Sequence, residues 1–197
     1  MKQAAGVLVI LLIMSACRQK TGREQYEALV KKELASNKKA DSIFLGMYLG
    51  MPQKEFFKHC WEMNKRSVLY DGSDGMGNMY VLYHMDKDLK YPASMNFYPD
   101  FNKDVISKMK ANIEYNGWAP WNKHLGADSL LPDVLTMCNR WYGGNDFIKL
   151  TNEKNTVEYV KVDGNRQITV KRADDVIVKM EFTDLSAEQV EKNENAN

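Results

Sequence analysis

The sequence carries almost no net charge, and this excludes one class of partner. Its 27 lysines and arginines nearly balance its 26 aspartates and glutamates, which leaves a formal net charge of +1. A protein that binds nucleic acid needs a surplus of basic side chains to neutralise phosphates. The composition therefore predicts that nucleic acid is not a partner of this chain.

Histidine and cysteine are also scarce, with three residues of each. The histidines stand at positions 59, 84 and 124, without the short ligand spacing of a zinc site. His59 precedes Cys60 directly, but adjacent helix residues point about 100° apart and do not form a dyad. The sequence contains no G-x-S-x-G, H-E-x-x-H or phosphate-binding-loop motif. We therefore predict a protein that is not an enzyme and needs no metal or cofactor.

Long apolar runs are missing too, apart from one near the N-terminus. That run extends from Ala4 to Met14; it is too short for a permanent bilayer span and has signal-peptide proportions. It ends in the letters MSAC, which resemble the bacterial lipobox, whose cysteine is lipidated after cleavage. We predict a signal peptide over residues 1–16 and a lipid anchor on Cys17; the alternative is an ordinary secretory signal with a chance cysteine.

Polar segments lie on both sides of the predicted folded part. Residues 17–40 are lysine-rich with weak helical periodicity, and we predict a lipid anchor and a partly helical, mobile tether. Its lysines are either solvated or in contact with lipid headgroups. Residues 186–197 are charged and polar, which predicts a disordered tail.

Two segments have the apolar periodicity of amphipathic helices that bury one face against a sheet. The first, residues 52–65, begins at Pro52 and groups five apolar side chains on one side: Phe56, Phe57, Cys60, Trp61 and Met63. The second, residues 130–142, ends at a pair of glycines and groups six: Leu131, Val134, Leu135, Cys138, Trp141 and Tyr142.

Strands and an internal repeat account for the rest of the pattern. Aromatic and β-branched runs between turn signals predict strands over residues 78–85, 93–98, 104–115, 146–150, 156–162, 166–172 and 176–183. The string DVISKM at 104–109 returns as DVIVKM at 175–180, and the two helix faces align in the same order. We therefore predict an α+β fold of two tandem helix-plus-antiparallel-meander units, with the helices packed on one face of the sheet. The units span 41–116 and 129–185, joined by a connection over 117–128.

Two cysteines lie at the centres of the two predicted helix faces. An oxidising compartment permits a Cys60–Cys138 disulfide. Two helices on one sheet, however, aim these faces at the sheet rather than at each other, which favours two buried free thiols.

The segment Leu49-Gly50-Met51, followed by an amphipathic helix to Lys65 and a repeated meander, resembles two groups of proteins. One is the small lipoproteins of the outer-membrane β-barrel assembly machinery; the other is the β-lactamase-inhibitor-protein-like lipoproteins with tandem units. The assembly lipoproteins have one unit and usually place Thr or Ser where this chain has Pro52. Residues 44–64, with the later tryptophan loop, are similar to outer-membrane lipoproteins of unknown function from Bacteroidetes-type bacteria.

The resemblance implies a non-catalytic protein, lipid-anchored to the outer membrane, that presents a sheet face or loops to an envelope protein partner. Candidate partner-binding residues are aromatic: Trp118, Trp121, Tyr115, Tyr98 and Phe101. The two tryptophans of the connection are either such anchors or a lid over the core.

We therefore expect a periplasmic or surface lipoprotein that acts as a protein-binding or scaffolding module. The alternatives are a small-ligand carrier and a cell-envelope hydrolase without a recognisable motif. An exposed aromatic patch favours protein binding, and a pocket with convergent polar groups favours the other two.

Overall fold

The computed structural model describes residues 21–73, 79–152 and 155–194. Cys17 and the predicted signal peptide lie outside these ranges, so the lipid anchor stays a prediction. Within the described ranges, no helix is long and apolar enough to span a membrane.

One antiparallel sheet runs through the described residues and contains eight strands. In chain order these are β1 (Leu69–Ser73), β2 (Met79–Met85), β3 (Ala93–Asn102), β4 (Val105–Tyr115), β5 (Ile148–Thr151), β6 (Val157–Asp163), β7 (Arg166–Arg172) and β8 (Val178–Asp184). Across the sheet the order is β1-β2-β3-β4-β8-β7-β6-β5. Each unit is therefore a four-stranded meander, and the two meanders meet at their fourth strands.

Four helices accompany the sheet in the described part of the chain: α1 (Gly22–Ala35), α2 (Gln53–Lys65), α3 (Ala127–Tyr142) and α4 (Leu185–Glu194). The helices α2 and α3 precede the two meanders and share one continuous core, in which Phe56, Val134 and Cys138 are fully buried. This confirms the predicted α+β fold of two tandem helix-plus-meander units. We call the sheet face that these helices cover the inner face; it carries Phe97 and Met180.

The repeated string occupies equivalent places in the two units. DVISKM leads into β4 and DVIVKM leads into β8, and these strands pair in register, with Ile113 opposite Val178. The matched methionines, Met109 and Met180, are both buried. The predicted strand start at Val176 is two residues early, because Asp174 accepts hydrogen bonds from the backbone N–H groups of Val176 and Ile177 at 2.8 and 2.7 Å and holds them in a turn.

A non-helical segment before α2 joins the two units across the inner face. The ring of Phe44 packs edge-on against Phe97 of β3 at 4.9 Å and against Phe182 of β8 at 5.7 Å between centroids. Full burial of an aromatic or aliphatic side chain contributes about 1.5–3 kcal/mol. Phe44 therefore makes the stability of each unit depend on the other.

The opposite, outer face is covered by helices over part of the second unit, around β5 and β6. On β6, Val160 and Val162 lie on the outer face, and Lys161 between them lies on the opposite face, because successive side chains of a strand point to opposite sides. They pack in a second core with Leu185 of α4 and with apolar side chains of α1: Tyr26, Leu29, Val30 and Leu34.

The flanking segments differ in part from their predictions. The predicted tether is partly helical, as expected, but its helix at residues 22–35 is docked on the sheet, because its apolar side chains pack against Val160 and Val162. Residues 186–194, which were predicted to be disordered, belong to helix α4, which is anchored where Leu185 enters the same core and where Glu188 contacts Lys108 at 2.6 Å.

Helix α3 begins earlier than the predicted residue 130. The N–H of Ala127 donates to the carbonyl of Asp175 at 2.9 Å, which places the helix start against the β7–β8 turn. Ala127 and Leu130 are fully buried there. The apolar period alone does not reveal this first turn, since only tertiary contacts fix its start.

Both described cysteines are free thiols, Cys138 fully buried and Cys60 partly buried. The sequence left open a Cys60–Cys138 disulfide or two free thiols, and the structure has the two free thiols. The thiol of Cys138 lies 3.6 Å from the sulfur of Met180. Burial raises the pKa of Cys60 to about 11 and that of Cys138 to about 12.

Candidate protein-binding groove

Helix α2 is fixed to the sheet by backbone hydrogen bonds at its start. The N–H of Gly50 donates to the carbonyl of Ile106 at 2.8 Å, and the N–H of Ile106 donates to the carbonyl of Met51 at 2.9 Å. Gly50 has φ +83°, a left-handed conformation that glycine adopts without a steric penalty. Gln53, the first helical residue, donates to the carbonyl of Asp104 at 2.8 Å. The helix therefore starts against the first residues of β4.

The other end of α2 is fixed to β1. The side-chain amide of Asn64 donates to the carbonyl of Leu69 at 2.9 Å, and the N–H of Val68 donates to the carbonyl of Met63 at 3.0 Å. Because both ends are held, the solvent-facing side of the helix is presented in one orientation.

The apolar side of α2 is wider than its contact with the core. Phe56 is fully buried and packs against the ring of Phe101 at 5.8 Å between centroids. Phe57 and Trp61 remain 46% and 59% exposed. The expectation that the whole stripe buries against the sheet is therefore wrong for these two residues. Lys65 caps the Trp61 ring, with its Nζ 3.3 Å from the centroid, and this cation–π contact restrains the ring.

A groove of about 320 Å³ lies between α2 and the strands β1–β3. Phe57, Cys60 and Trp61 form its helix wall, and Tyr70, Val81 and Tyr98 lie on its strand side. We call this the α2 groove. Among the described residues, six large apolar side chains are exposed, and four of them (Phe57, Trp61, Tyr70 and Tyr98) line this groove. Exposed aromatic surface is thus concentrated at one place in the first unit.

The aromatic rings around the groove support one another. Phe57 and Phe101 lie 6.2 Å apart, and Phe56 lies 6.4 Å from Tyr98. The ring of Tyr70 packs at a tilt against that of His84, with 5.1 Å between centroids. Its hydroxyl donates to the carbonyl of Ser67 at 3.0 Å. Because neighbouring side chains already hold these rings, the rings lose little conformational entropy when a partner binds them.

The structure brings together only part of the predicted partner-binding set. Tyr98 lines the groove, and Phe101 packs beneath it against Phe56 and Phe57. Tyr115 is instead buried on the inner face, where its hydroxyl donates to the carboxylate of Asp133. Burial is the main cause that raises the pKa of this hydroxyl. Tyr115 is therefore a core residue rather than part of an exposed surface.

The tryptophans of the connection lie apart from the groove. Trp121 is 82% exposed and Trp118 is 37% exposed. Trp121 therefore does not cover the core, which was one of the two roles considered for it. Both tryptophans follow β4, and neither lines the α2 groove.

Sequence reasoning missed three residues of the groove, namely Phe57, Trp61 and Tyr70. A signal for two of them was present. Phe56, Cys60 and Met63 already form an i, i+4, i+7 row, and Phe57 and Trp61 form a second row beside it. The second row on α3, Leu131 and Leu135, packs against the core, so the exposure of the second row on α2 is settled by tertiary structure rather than by the pattern. Tyr70 carries no comparable signal.

Buried ionisable groups gather in the second unit, where the carboxylate of Asp163 lies 3.8 Å from Lys161 and 3.6 Å from Arg166. In the part of the chain that the structure describes, no three His, Cys, Asp or Glu side chains lie close enough together to hold a metal ion. His59 is engaged with the backbone, with its Nε2 2.7 Å from the carbonyl oxygen of Leu45. The buried charges of the second unit are structural: Arg166 donates to the carbonyl of Ser42 at 2.7 Å and lies over the ring of Tyr142 at 4.5 Å.

A second concavity, of about 420 Å³, lies on the strands β3 and β4 and is lined by Asn96, Tyr98, Asp100, Lys110, Asn112 and Glu114, among others. Lys110 and Asp100 form an ion pair at 2.5 Å. Within the described residues, the buried side-chain oxygen of Asn96 has no hydrogen-bond partner. Aromatic and aliphatic side chains line this concavity as well, and it shares Tyr80 and Tyr98 with the α2 groove.

Comparison with protein-family models, with curated proteins and with solved structures found no match for the chain.

Proposed function

We propose that the chain is a lipid-anchored protein of the bacterial cell envelope whose folded part is a non-catalytic protein-binding module. The α2 groove is the binding surface in this proposal. The lipobox-like MSAC ending at Cys17 supports the anchor, and the outer-membrane location is what the resemblance to lipoproteins implies.

The single observation that carries the binding role is the exposure of four aromatic side chains around one groove. Tryptophan and tyrosine are the residues most enriched among those that dominate binding energy at protein interfaces. Clustered exposure of apolar side chains marks interaction sites, because a partner that covers them removes apolar surface from water.

The size of the groove indicates what the partner inserts. A volume of about 320 Å³ lies at the lower end of the range for small-molecule pockets. The Trp61 ring, with Lys65 above it, leaves a helix wall that accommodates one or two apolar side chains of a partner protein. Polar groups at the rim, such as Asn64 and Asp71, supply hydrogen-bonding groups around that contact.

A second candidate function is carriage of a small polar ligand on the open part of the sheet. The observation that favours it is the unbonded oxygen of Asn96 in the 420 Å³ concavity. A ligand with an N–H or O–H donor satisfies this oxygen, and an unsatisfied buried acceptor costs about 1–3 kcal/mol.

The test of the protein-binding role is chemical crosslinking in intact membranes followed by purification of the chain. Trp61→Ala is compared with the matched control Trp121→Ala, which removes an exposed tryptophan outside the groove. Loss of a dominant tryptophan costs about 2 kcal/mol or more, which corresponds to roughly 30-fold weaker binding. We expect a discrete crosslinked product that Trp61→Ala abolishes and Trp121→Ala retains. Equal products from all three chains contradict the assignment of the groove.

A further inference from the structure

Helix α1 connects the proposed anchor to one edge of the sheet, and this gives the molecule an orientation on the membrane. We propose that the β5 edge of the sheet is the membrane-facing edge and that the α2 groove is held at the far edge. This inference rests on the proposed function, since it takes lipid on Cys17 as the anchor.

The first step is the docking of α1 on the second unit. The hydroxyl of Tyr26 donates to the side-chain oxygen of Gln167 at 2.7 Å. The carboxylate of Glu33 accepts from the N–H of Gly164 at 2.9 Å and from the amide of Asn145 at 3.1 Å. The same two hydrogen bonds lower the pKa of Glu33. Polar contacts at both ends of the helix, with the apolar contacts between them, hold α1 against the strands.

The second step is the position of the first helical residue. A Cβ on Gly22 would lie 2.5 Å from the carbonyl oxygen of Lys149, far inside van der Waals contact. Glycine therefore permits the start of α1 to lie directly on β5. Since β5 is one edge of the described sheet and β1 is the other, the chain enters the fold at the edge opposite the α2 groove.

The third step is the reach of the chain. Only Arg18, Gln19, Lys20 and Thr21 separate Cys17 from Gly22. A fully extended chain covers at most about 3.6 Å per residue, so the start of α1 lies within about 18 Å of a lipidated Cys17. Neighbouring strands are about 4.8 Å apart, so the β1 edge lies roughly 30 Å further across the sheet.

The proposed orientation depends on the anchor and on the docking of α1 rather than on surface charge. Near the start of α1, the exposed Arg23 is accompanied by the exposed Glu24 and Glu27. The α2 groove at the other edge then opens away from the bilayer. Its partner is a protein domain that stands clear of the membrane, rather than the lipid-facing wall of an embedded protein.

The experiment places one fluorescent label at either edge of the full, acylated chain in vesicles whose lipid headgroups carry a quencher. Lys149→Cys labels the β5 edge and Lys58→Cys labels α2; both positions are exposed. The unsubstituted chain gives the background from its own thiols. We expect several-fold stronger quenching at position 149 than at position 58. Equal quenching, or stronger quenching at 58, overturns the orientation.

A second variant separates docking from anchoring. Tyr26→Ala combined with Glu33→Ala removes the polar contacts of α1, so the tether lengthens toward Asp41. We expect this chain to float with vesicles as before while the difference between the two labels disappears. If the difference persists, α1 docking does not orient the protein. If Cys17→Ala floats equally well, the anchor itself is wrong, whereas loss of crosslinking in Trp61→Ala depends on neither result.

Discussion

The two units have the same order of helix and strands but differ in what they leave exposed. Phe56 and Val134 are equivalent, and both are fully buried. Phe57, one position on, is 46% exposed, whereas its equivalent Leu135 packs against the core. The outer face differs as well: α1 and α4 cover it in the second unit, while the 420 Å³ concavity remains open on β3 and β4.

This difference indicates a division of roles between the units. The second unit holds the buried ion pairs and is covered on part of its outer face by two additional helices. The first unit leaves a second apolar row exposed on its helix. Repetition of one architecture thus supplies a scaffold in one copy and a free surface in the other.

The largest effect expected within the comparison is on stability at the buried row of α2. Phe56→Ala is expected to lower the free energy of unfolding by about 3–5 kcal/mol, because it removes a fully buried ring and leaves a cavity. Phe57→Ala, one residue along, is expected to cost less than about 1 kcal/mol. Urea unfolding followed by circular dichroism measures both.

Phe56→Ala also tests whether the units unfold together. Phe44 packs on rings of both units, and β4 pairs with β8. We therefore expect one cooperative transition at lower denaturant concentration. Two separate transitions would show that the units are independent and that Phe44 does not couple them.

The next effect concerns the equivalent thiols, measured in a Cys17→Ala background. Burial raises the pKa of Cys60 from 9.0 to about 11, and only the thiolate reacts with thiol reagents. At pH 8 the folded chain should therefore react about 100-fold more slowly than an ordinary thiol. Its rate should continue to rise with pH beyond pH 9, toward the raised pKa. Cys138, fully buried, should react more slowly still.

A rate for Cys60 that levels off near pH 9 would contradict the burial of this thiol. In denaturant, the same chain should show two reactive thiols without added reductant. If neither reacts, the pair is bridged and the placement of both helices is wrong.

A smaller effect is expected at the helix that only the second unit possesses. Tyr26→Phe removes the hydrogen bond to Gln167 and keeps the ring, so we expect a loss of about 1 kcal/mol in the free energy of unfolding. Hydrogen exchange should increase at α1 and β6 and remain unchanged at α2. Unchanged exchange at α1 would contradict its docking on the second unit.

Much of this architecture was accessible from the sequence, for identifiable reasons. The order of helices and strands follows from apolar periodicity, and the repeat of the DVI strings predicted that β4 and β8 hold equivalent places. The docking of α1 was not predicted, because Tyr26, Leu29, Val30 and Leu34 form a weak row. Its burial depends on Val160 and Val162, which lie far away in sequence. The local sequence pattern of α1 therefore gives no indication of its contact with β6.

Only part of the candidate site could be predicted from the sequence. Tyr98 and Phe101 were chosen because they are aromatic, and they lie at the groove by virtue of β3. Tyr115 was chosen on the same ground, yet it points into the core beside Asp133. Aromatic character alone does not distinguish the two faces of a strand, because the side on which a helix packs is decided by tertiary structure.

The smallest effect on stability is expected at the centre of the proposed binding surface. Trp61→Ala should change the free energy of unfolding by less than about 0.5 kcal/mol, since the side chain is 59% exposed. Chemical denaturation checks this value. A loss of several kcal/mol would identify Trp61 as a core residue and remove the physical basis of the groove.

The most direct test of the central claim places a photoreactive amino acid at the equivalent positions 57 and 135 of the two units, in the full chain in its native membrane. Phe57 is exposed at the groove, and Leu135 holds the equivalent position on α3 but packs partly buried against the core, so the two sites differ in the unit that carries them and in their exposure. We expect illumination to give one discrete protein adduct from position 57, absent when Trp61→Ala is also present, and no adduct from position 135. Equal adducts from both positions, or an adduct from position 135 alone, would contradict the account that the first unit binds the partner.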